Sequence, residues 1–187
     1  MINEQYFEDF PVLETTRLTL RSLVMTDASE IYSIRSNVKA MQYMDTVLHH
    51  TIADTEKFVT LNLKTYQKKE GLFWVLIEKN TDQFIGDFSF WKVNRRNSRA
   101  EIGYSLHPDF WGKGYMKEAM KTILHFGFTK LKLHSIEANI NPDNNNSRKV
   151  LKGIGFQKEA YFREHYYYNG EYLDSEIYSL LENDLIR

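Results

Sequence analysis

The alternation of apolar and polar residues marks the first strands of the chain. "RLTLRSL" at residues 17–23 alternates with a period of two, which is typical of a strand with one buried face. Three more strand-like stretches follow one another closely: "FWVLIEK" (73–79), "FIGDFSFWKV" (84–93) and "AEIGYSL" (100–106). The stretches "NTD" and "NRRNS" that separate them have the composition of turns. The pattern therefore predicts an antiparallel meander of three strands.

Capping residues followed by apolar residues at helical spacing predict two helices between the first strand and the meander. Thr26 and Asp27 are suited to cap a helix that ends near residue 36. Asp54 is suited to cap a longer helix that ends near residue 69. The apolar side of this longer helix is predicted to contain Phe58, Leu61 and Tyr66.

Beyond the meander, the periodicity changes from helix to strand and back. Residues 114–130 have apolar residues at helical spacing, residues 134–140 alternate like a strand, and residues 145–152 are predicted to form a short helix. Gly153 or Gly155 would supply the left-handed residue that ends this short helix.

The last stretch of the chain is predicted to be a hairpin, because Asn169-Gly170 lies between two strand-like runs. The predicted order of elements is β, α, α, β, β, β, α, β, α, β, β. This order indicates a mixed α/β (α+β) fold built on one sheet. No linker, repeat or low-complexity segment interrupts it, so residues 1–187 are expected to form a single domain.

Composition narrows the function mainly by exclusion. The 187 residues include no cysteine, which excludes a disulfide framework, a thiolate nucleophile and a zinc–cysteine site, and no metal is expected. The formal net charge of −1 is not that of a nucleic-acid-binding protein. The N-terminus does not resemble a signal peptide, and no apolar run approaches the length of a membrane span. We therefore expect a cytoplasmic protein without direct nucleic-acid or membrane partners.

The stretch "HPDFWGKGYMKEAM" (107–120) places glycines on both sides of Lys113, just where a helix is predicted to begin. A helix N-terminus offers unpaired N–H groups to an anion, and glycine allows a phosphate to approach the backbone. A strand-to-helix turn without any ligand is the competing interpretation. Two nucleotide motifs are excluded by their context. The P-loop pattern is absent, and the dinucleotide fingerprint would need a glycine at Lys117 and a parallel βαβ unit.

"WGKGYM" at residues 111–116 resembles the pyrophosphate loop of the GNAT superfamily of acyl-CoA-dependent N-acyltransferases, Gln/Arg-x-x-Gly-x-Gly/Ala. Trp111 and Met116 are the two departures from that pattern, and the Met116 side chain is expected to point into the core. "AEIGYSLHPDFWGKGYMKEA", "NPDNNNSRKVLKGIGF" and "FREHYYYNGEYLDSEIYSLLEND" together are similar to the branch that contains the ribosomal-protein N-terminal acetyltransferases. The resemblance extends over residues 13–184.

The resemblance implies a GNAT-type fold: one mixed, mostly antiparallel sheet of about seven strands with about four helices, splayed at the cofactor site. It also implies acetyl-CoA as co-substrate. The strands at 100–106 and 134–140 would be parallel neighbours, with the helix at 114–130 as the crossover between them, and they would diverge at Leu106. The pyrophosphate would bind residues 111–116, and the pantetheine arm would bind the end of the preceding strand and the start of the short helix. The implied cofactor-binding residues are Leu106, His107, Trp111, Gly112, Lys113, Gly114, Tyr115, Met116, Asn144 and Ser147.

Two catalytic residues follow from the same resemblance. Glu101 would be the general base that takes a proton from the amine, because a protonated amine cannot attack a thioester. The competing interpretation of Glu101 is an exposed carboxylate on the strand or an ion-pair partner of Arg99. Ser147 would protonate the leaving CoA thiolate, with Tyr161 as the other candidate. The competing interpretation of Asn144 and Ser147 is helix capping. His107 is expected to be a turn residue rather than an acid or base.

The resemblance predicts an acetyl-CoA-dependent N-acetyltransferase that transfers the acetyl group directly to a primary amine. The similar branch favours the α-amine of a protein N-terminus, as in ribosomal-protein acetylation. A small amine such as a polyamine, an aminoglycoside or an amino-acid derivative is the alternative acceptor. A non-catalytic acyl-CoA-binding or sensing module, and a nucleotide-binding protein, are alternatives from other classes. The protein could also form a homodimer, which the sequence does not decide.

Overall fold

The computed structural model describes residues 1–185, in which eight strands form one sheet. The strands are β1 (Leu13–Glu14), β2 (Leu18–Ser22), β3 (Leu72–Glu78), β4 (Gln83–Asn94), β5 (Arg99–Leu106), β6 (Ser135–Ile140), β7 (Gln157–Tyr168) and β8 (Glu171–Leu181). Their order across the sheet is β1-β2-β3-β4-β5-β6-β8-β7. The mixed, mostly antiparallel sheet predicted from the sequence is confirmed.

Five α-helices cover this sheet. They are α1 (Ala28–Arg35), α2 (Val38–Met41), α3 (Ile52–Gln67), α4 (Tyr115–Thr129) and α5 (Asn145–Ile154). The predicted order of elements is confirmed, and the structure adds β1 and α2 to it. Both additions are too short for periodicity to show, because a four-residue helix or a two-residue strand contains only about one repeat of its pattern. Among residues 1–185, no helix combines the length and apolar character that crossing a bilayer requires.

The start and the apolar side of α3 differ from the prediction. Thr51 is the N-cap, and Asp54 lies in the first turn, where its carboxylate accepts a hydrogen bond from the Thr51 N–H at 3.0 Å. Asp54 therefore belongs to the capping arrangement but does not begin the helix. Leu61 is 63% exposed, so its placement on the buried side was wrong. Phe58 and Tyr66 do pack against the core.

The splayed region of the sheet lies between β5 and β6. These two strands are parallel, as predicted, and α4 is the crossover between them. Their pairing ends at Glu101 and Glu137, whereas the divergence was predicted at Leu106. Beyond Glu101, β5 loses β6 as a neighbour but stays paired with β4, and Leu106 lies opposite Gly86. Gly86 permits this close approach, since a Cβ there would lie 2.3 Å from the Ser105 carbonyl oxygen. The opening is therefore longer than the sequence suggested.

Both faces of the sheet are covered, which explains why every residue of β3 is buried. One face packs against α4, where Trp74, Phe88 and Phe90 meet the apolar side of the helix. The opposite face packs against α1 and α3 through Phe73, Val75 and Ile77. The predicted hairpin turn at Asn169-Gly170 is confirmed between β7 and β8. The left-handed residue that ends α5 is Gly155, with φ of 119°.

Candidate active site

A cavity of about 680 Å³ opens where β5 separates from β6. One wall is the end of β5, from Tyr104 to Leu106. A second wall is the loop and first turn of α4, and a third is the N-terminal half of α5. The segment from Lys39 to Met44, which includes most of α2, closes the remaining side. The cavity therefore brings together the two sequence segments that resemble cofactor-binding motifs and a third segment that does not.

The glycine loop before α4 has the geometry of an anion site. Gly112 and Gly114 adopt left-handed φ angles of 74° and 80°, and Gly114 is the N-cap of α4 without any side-chain cap bond. A Cβ on Gly112 would meet no atom within 4 Å, and one on Gly114 would meet only the Arg17 guanidinium, at 3.6 Å. The space before the first turn is therefore open. Uncapped N–H groups that face open space fit a phosphate group.

Arg17 adds positive charge to this loop, and it was not among the residues predicted from the sequence. Its Nη1 donates to the Lys113 carbonyl oxygen at 2.9 Å, and its Nε donates to Glu118 at 2.6 Å. Its guanidinium also lies over the Tyr115 ring. The residues are about 100 positions apart in the chain, so no local pattern could have joined them. Three lysines also line the cavity, Lys39, Lys117 and Lys149, whereas Lys113, predicted to bind the cofactor, is not among the lining residues. The site is suited to a ligand with several negative charges.

Arg17→Ala is expected to weaken acetyl-CoA binding about fivefold, which corresponds to about 1 kcal/mol. The physical reason is the loss of a cation beside the phosphate-binding loop, and the effect should shrink as salt screens it. Calorimetric titrations at two salt concentrations measure both. Arg95→Ala is a matched control, because Arg95 is a similarly exposed arginine paired with Glu4 at 2.8 Å. Equal effects of the two variants would contradict a role for Arg17 in binding.

Trp111 fastens the loop to the end of β5. Its indole N–H donates to the Leu106 carbonyl oxygen at 2.7 Å, so the residue that replaces the Gln/Arg of the motif has a structural partner. His107 donates its backbone N–H to the Ile85 carbonyl oxygen at 2.8 Å and does not line the cavity. This geometry gives His107 the role of a turn residue. The Met116 side chain is buried in the core, as predicted.

A pair of hydroxyl groups lies inside the cavity. The Tyr104 hydroxyl is hydrogen-bonded to the Ser147 Oγ, and both residues line the cavity wall. Asn144 holds the start of α5 by accepting a hydrogen bond from the Ser147 N–H at 3.0 Å. Burial raises the pKa of Tyr104 to about 12, although the bond to Ser147 opposes this. The phenol therefore remains protonated at neutral pH and is able to donate to Ser147.

Ser147 was predicted from the sequence, but Tyr104 was not. The available signal was the strand period, which places Tyr104 on the same face of β5 as the buried Ile102. Tyr161, the other candidate for the acid, is 46% exposed and hydrogen-bonded to Asp174, and it does not line the cavity.

Glu101 lies at the last paired position of β5 and β6. Its side chain is only 11% exposed, and its Oε2 accepts a hydrogen bond from Lys92 at 2.8 Å. Its partner is thus Lys92, while Arg99 pairs with Glu137. Glu101 is not among the residues that line the cavity. The structure therefore does not bring Glu101 together with Ser147, and its role as base stays a prediction.

Within residues 1–185, no group of three or more His, Cys, Asp or Glu side chains is placed to hold a metal ion. The cavity itself presents a glycine loop suited to an anion, lysine side chains and buried hydroxyl groups.

The family model of the acetyltransferase (GNAT) domain matches residues 17–157. The chain belongs to the GNAT acetyltransferase family. The match includes the glycine loop, β5 and α5, which together form the walls of the cavity. A solved structure, the GNAT-family acetyltransferase from Bacillus anthracis, superposes with a TM-score of 0.82 at 28% identity. The superposition covers 92% of this chain and 99% of that one. The sequence-based assignment to an N-acetyltransferase fold is thus confirmed.

Among three curated relatives of this GNAT protein, one is named without an acceptor, and the other two are named for different acceptors. The uncharacterized N-acetyltransferase YoaA of Bacillus subtilis is 33% identical, with 92% of this chain and 98% of that protein covered. The spermidine N(1)-acetyltransferase of Vibrio cholerae is 24% identical, with 90% and 95% covered. The alanine N-acetyltransferase of ribosomal protein uS5 of Escherichia coli is 28% identical, with 64% and 62% covered. The family is therefore established, and the acceptor is not.

Proposed function

We propose that this GNAT acetyltransferase transfers the acetyl group of acetyl-CoA directly to the α-amine of a protein N-terminus. The observation that supports the transfer chemistry is the placement of an anion-binding loop and a buried hydroxyl pair in one cavity at the splayed strands. The ribosomal-protein-like segments of the sequence support the choice of acceptor. Holding both reactants in one complex supplies much of the rate, because it replaces an encounter in solution by an oriented pair.

The loop of residues 111–116 would bind the pyrophosphate, with Arg17 and the three cavity lysines balancing its charge. The pantetheine arm would lie in the opening between β5 and β6, where the β5 backbone beyond Glu101 has no β6 partner. Such unpaired backbone groups are suited to pair with the amides of pantetheine. Leu106 and Asn144 line this part of the cavity.

Ser147 would protonate the thiolate as it leaves. Its hydroxyl is inside the cavity and is already connected to Tyr104, a neutral phenol that is able to replace the lost proton. No covalent intermediate on the protein is required, which agrees with a chain that has no cysteine. The candidate that the sequence offers for the base, which takes a proton from the amine, is Glu101.

A small polyamine is the second candidate acceptor, because the spermidine acetyltransferase relative matches over most of both chains. A carboxylate on the segment after α2 also supports it: Asp45 accepts hydrogen bonds from Tyr166 on β7 and from Asn141 after β6. Asp45 directly follows Met44, which lines the cavity. A carboxylate at this position is suited to bind an ammonium group at the far end of a polyamine.

Labelled acetyl-CoA distinguishes these acceptors. We expect transfer to short peptides that begin with Ala or Ser, and no transfer to the same peptides with a blocked N-terminus. Spermidine and an aminoglycoside complete the panel. Transfer to spermidine, with no transfer to any peptide, would overturn the N-terminal acceptor and leave the transfer chemistry intact. Tight CoA binding with no transfer to any amine would indicate a binding or sensing module.

A further inference from the structure

Asp87, in the middle of β4, is a buried carboxylate that the chemistry described so far does not use. It is 8% exposed, and among residues 1–185 no Lys, Arg or His forms a salt bridge with it. Ionised carboxylates in protein interiors are costly unless they are paired, so a buried unpaired one is a candidate for function. Its hydrogen-bond donor is the Ser105 hydroxyl on the neighbouring strand, directly opposite Asp87 in the β4–β5 ladder.

Ser105 connects this carboxylate to the cavity. It lies on the part of β5 that has left β6, and it lines the cavity between Tyr104 and Leu106. Because side chains alternate along a strand, Ser105 points to the face opposite Tyr104. One face of β5 thus presents the hydroxyl pair formed with Ser147, and the other face presents a hydroxyl backed by Asp87. The two sets of groups flank the same opening.

Burial, opposed by one hydrogen bond and one nearby charge, brings the pKa of Asp87 close to neutral pH. Burial raises the pKa of Asp87 to about 6, while the Ser105 hydrogen bond and the charge of Arg35 on α1 act in the opposite direction. Val75 lies opposite on β3 and has no charge. The Arg35 guanidinium lies over the Phe58 ring, and its charge also acts on His49. Burial, and then Arg35, lower the pKa of His49. Asp87 is therefore ionised at neutral pH but remains basic enough to accept a proton.

We propose that Ser105 and Asp87 form the proton relay that deprotonates the acceptor amine. The Ser105 Oγ would take a proton from the bound ammonium while it passes its own proton to the Asp87 Oδ2. This frees the nitrogen lone pair that forms the N–C bond. In this assignment Ser105 is the group that touches the amine, and Asp87 acts through it.

The proton balance of the reaction closes with Ser147. As the N–C bond forms, the C–S bond breaks and the sulfur leaves with its electron pair. Ser147 gives a proton to the sulfur, and the second proton lost by the nitrogen restores the hydrogen-bonded pair of Ser147 and Tyr104 to its starting state. An ammonium ion and a thioester become an amide, a thiol and one proton, which Asp87 releases to solvent. The inference rests on the proposed function, because it needs an amine acceptor.

The test compares the pH dependence of kcat/KM in the wild type, Asp87→Asn and Ser105→Ala. The wild type should lose activity below about pH 6, where Asp87 becomes protonated. Asp87→Asn should lower kcat/KM by roughly 10²-fold or more and should lack this acidic limb, as expected for loss of a general base. Its affinity for acetyl-CoA should not change. Ser105→Ala should show the same defects, and Ser105→Thr, which retains a hydroxyl, should restore activity.

Thermal unfolding separates this role from a structural one. Because the pKa of Asp87 is raised in the folded protein, its ionised form costs stability above pH 6, and the cost disappears as the pH falls and the native carboxylate takes up a proton. Asp87→Asn should therefore not lower Tm at pH 7.5. Two controls match the substitutions: Glu78→Gln removes a buried carboxylate bound to Thr81, and Ser89→Ala removes a hydroxyl bonded to the Gly103 carbonyl oxygen.

Glu101→Gln is measured in parallel. If it removes the acidic limb while Asp87→Asn keeps it, the relay is overturned and Glu101 is the base. If the wild type turns over an amine while Asp87→Asn and Ser105→Ala both retain its rate, the relay alone fails. A wild type that binds acetyl-CoA but acetylates no amine overturns the proposed function, and the relay with it. A lower Tm in Asp87→Asn, with an unchanged acidic limb, would show that Asp87 is structural.

Discussion

Gly114→Asp is expected to weaken acetyl-CoA binding by about tenfold or more, which corresponds to at least about 1.4 kcal/mol. Two physical effects add. Gly114 has φ of 80°, a left-handed conformation in which a side chain costs roughly 1–2 kcal/mol. The new carboxylate would also repel a phosphate from the start of α4 and pair with Arg17, whose guanidinium lies 3.6 Å from the position of the added Cβ.

Two controls separate charge from strain in this experiment. Gly114→Asn has nearly the same shape as the Asp variant and tolerates the left-handed conformation, but it adds no charge. It should lose less affinity than Gly114→Asp. Gly170→Asp places the same side chain at φ of 94° in the hairpin turn, where a Cβ meets no atom within 4 Å. It should leave the affinity unchanged. Calorimetry on folded variants that shows equal affinity for Gly114→Asp and wild type would remove the phosphate site from this loop.

Ser147→Ala is expected to lower kcat by roughly 10²-fold, as for removal of a general acid, with little change in the affinity for acetyl-CoA. The start of α5 should survive the change, because Asn144 caps the Ser147 backbone N–H and not its hydroxyl. Tyr104→Phe should have a smaller effect, since Ser147 keeps its own proton. The double variant should be hardly slower than Ser147→Ala alone, because both groups act as one unit.

The pH profile gives an independent readout of this pair. Burial raises the pKa of Tyr104 to about 12, so the hydroxyl pair remains protonated throughout the ordinary alkaline range. We therefore expect kcat to show no alkaline limb that belongs to this pair. Tyr178→Phe is a matched control, because Tyr178 is also a buried tyrosine and its hydroxyl donates to Glu176 at 2.9 Å on β8. Additive effects of Ser147→Ala and Tyr104→Phe would contradict a shared role.

Most of the fold could be predicted because its elements are determined by local patterns. The alternation in the β3–β5 meander, the helical spacing of α4 and the Asn169-Gly170 turn each lie within a few residues of sequence. Two structural details that were predicted wrongly from the sequence have a common cause. The exposure of Leu61 and the long opening beyond Glu101 depend on what packs against α3 and on which neighbour β5 follows. Neither is a property of the segment itself.

The sequence by itself determined the glycine loop at the start of α4, which we propose as the phosphate site, since two glycines and the helix start are neighbours in the chain. It also excluded cysteine chemistry. The tertiary structure decided the rest of the site. Arg17 reaches the loop from the bend just before β2, Tyr104 meets Ser147 across 43 residues, and Ser105 meets Asp87 across 18. Strand pairing and burial create these contacts and set the proton affinity of the groups, because both depend on neighbours that only the folded chain brings together.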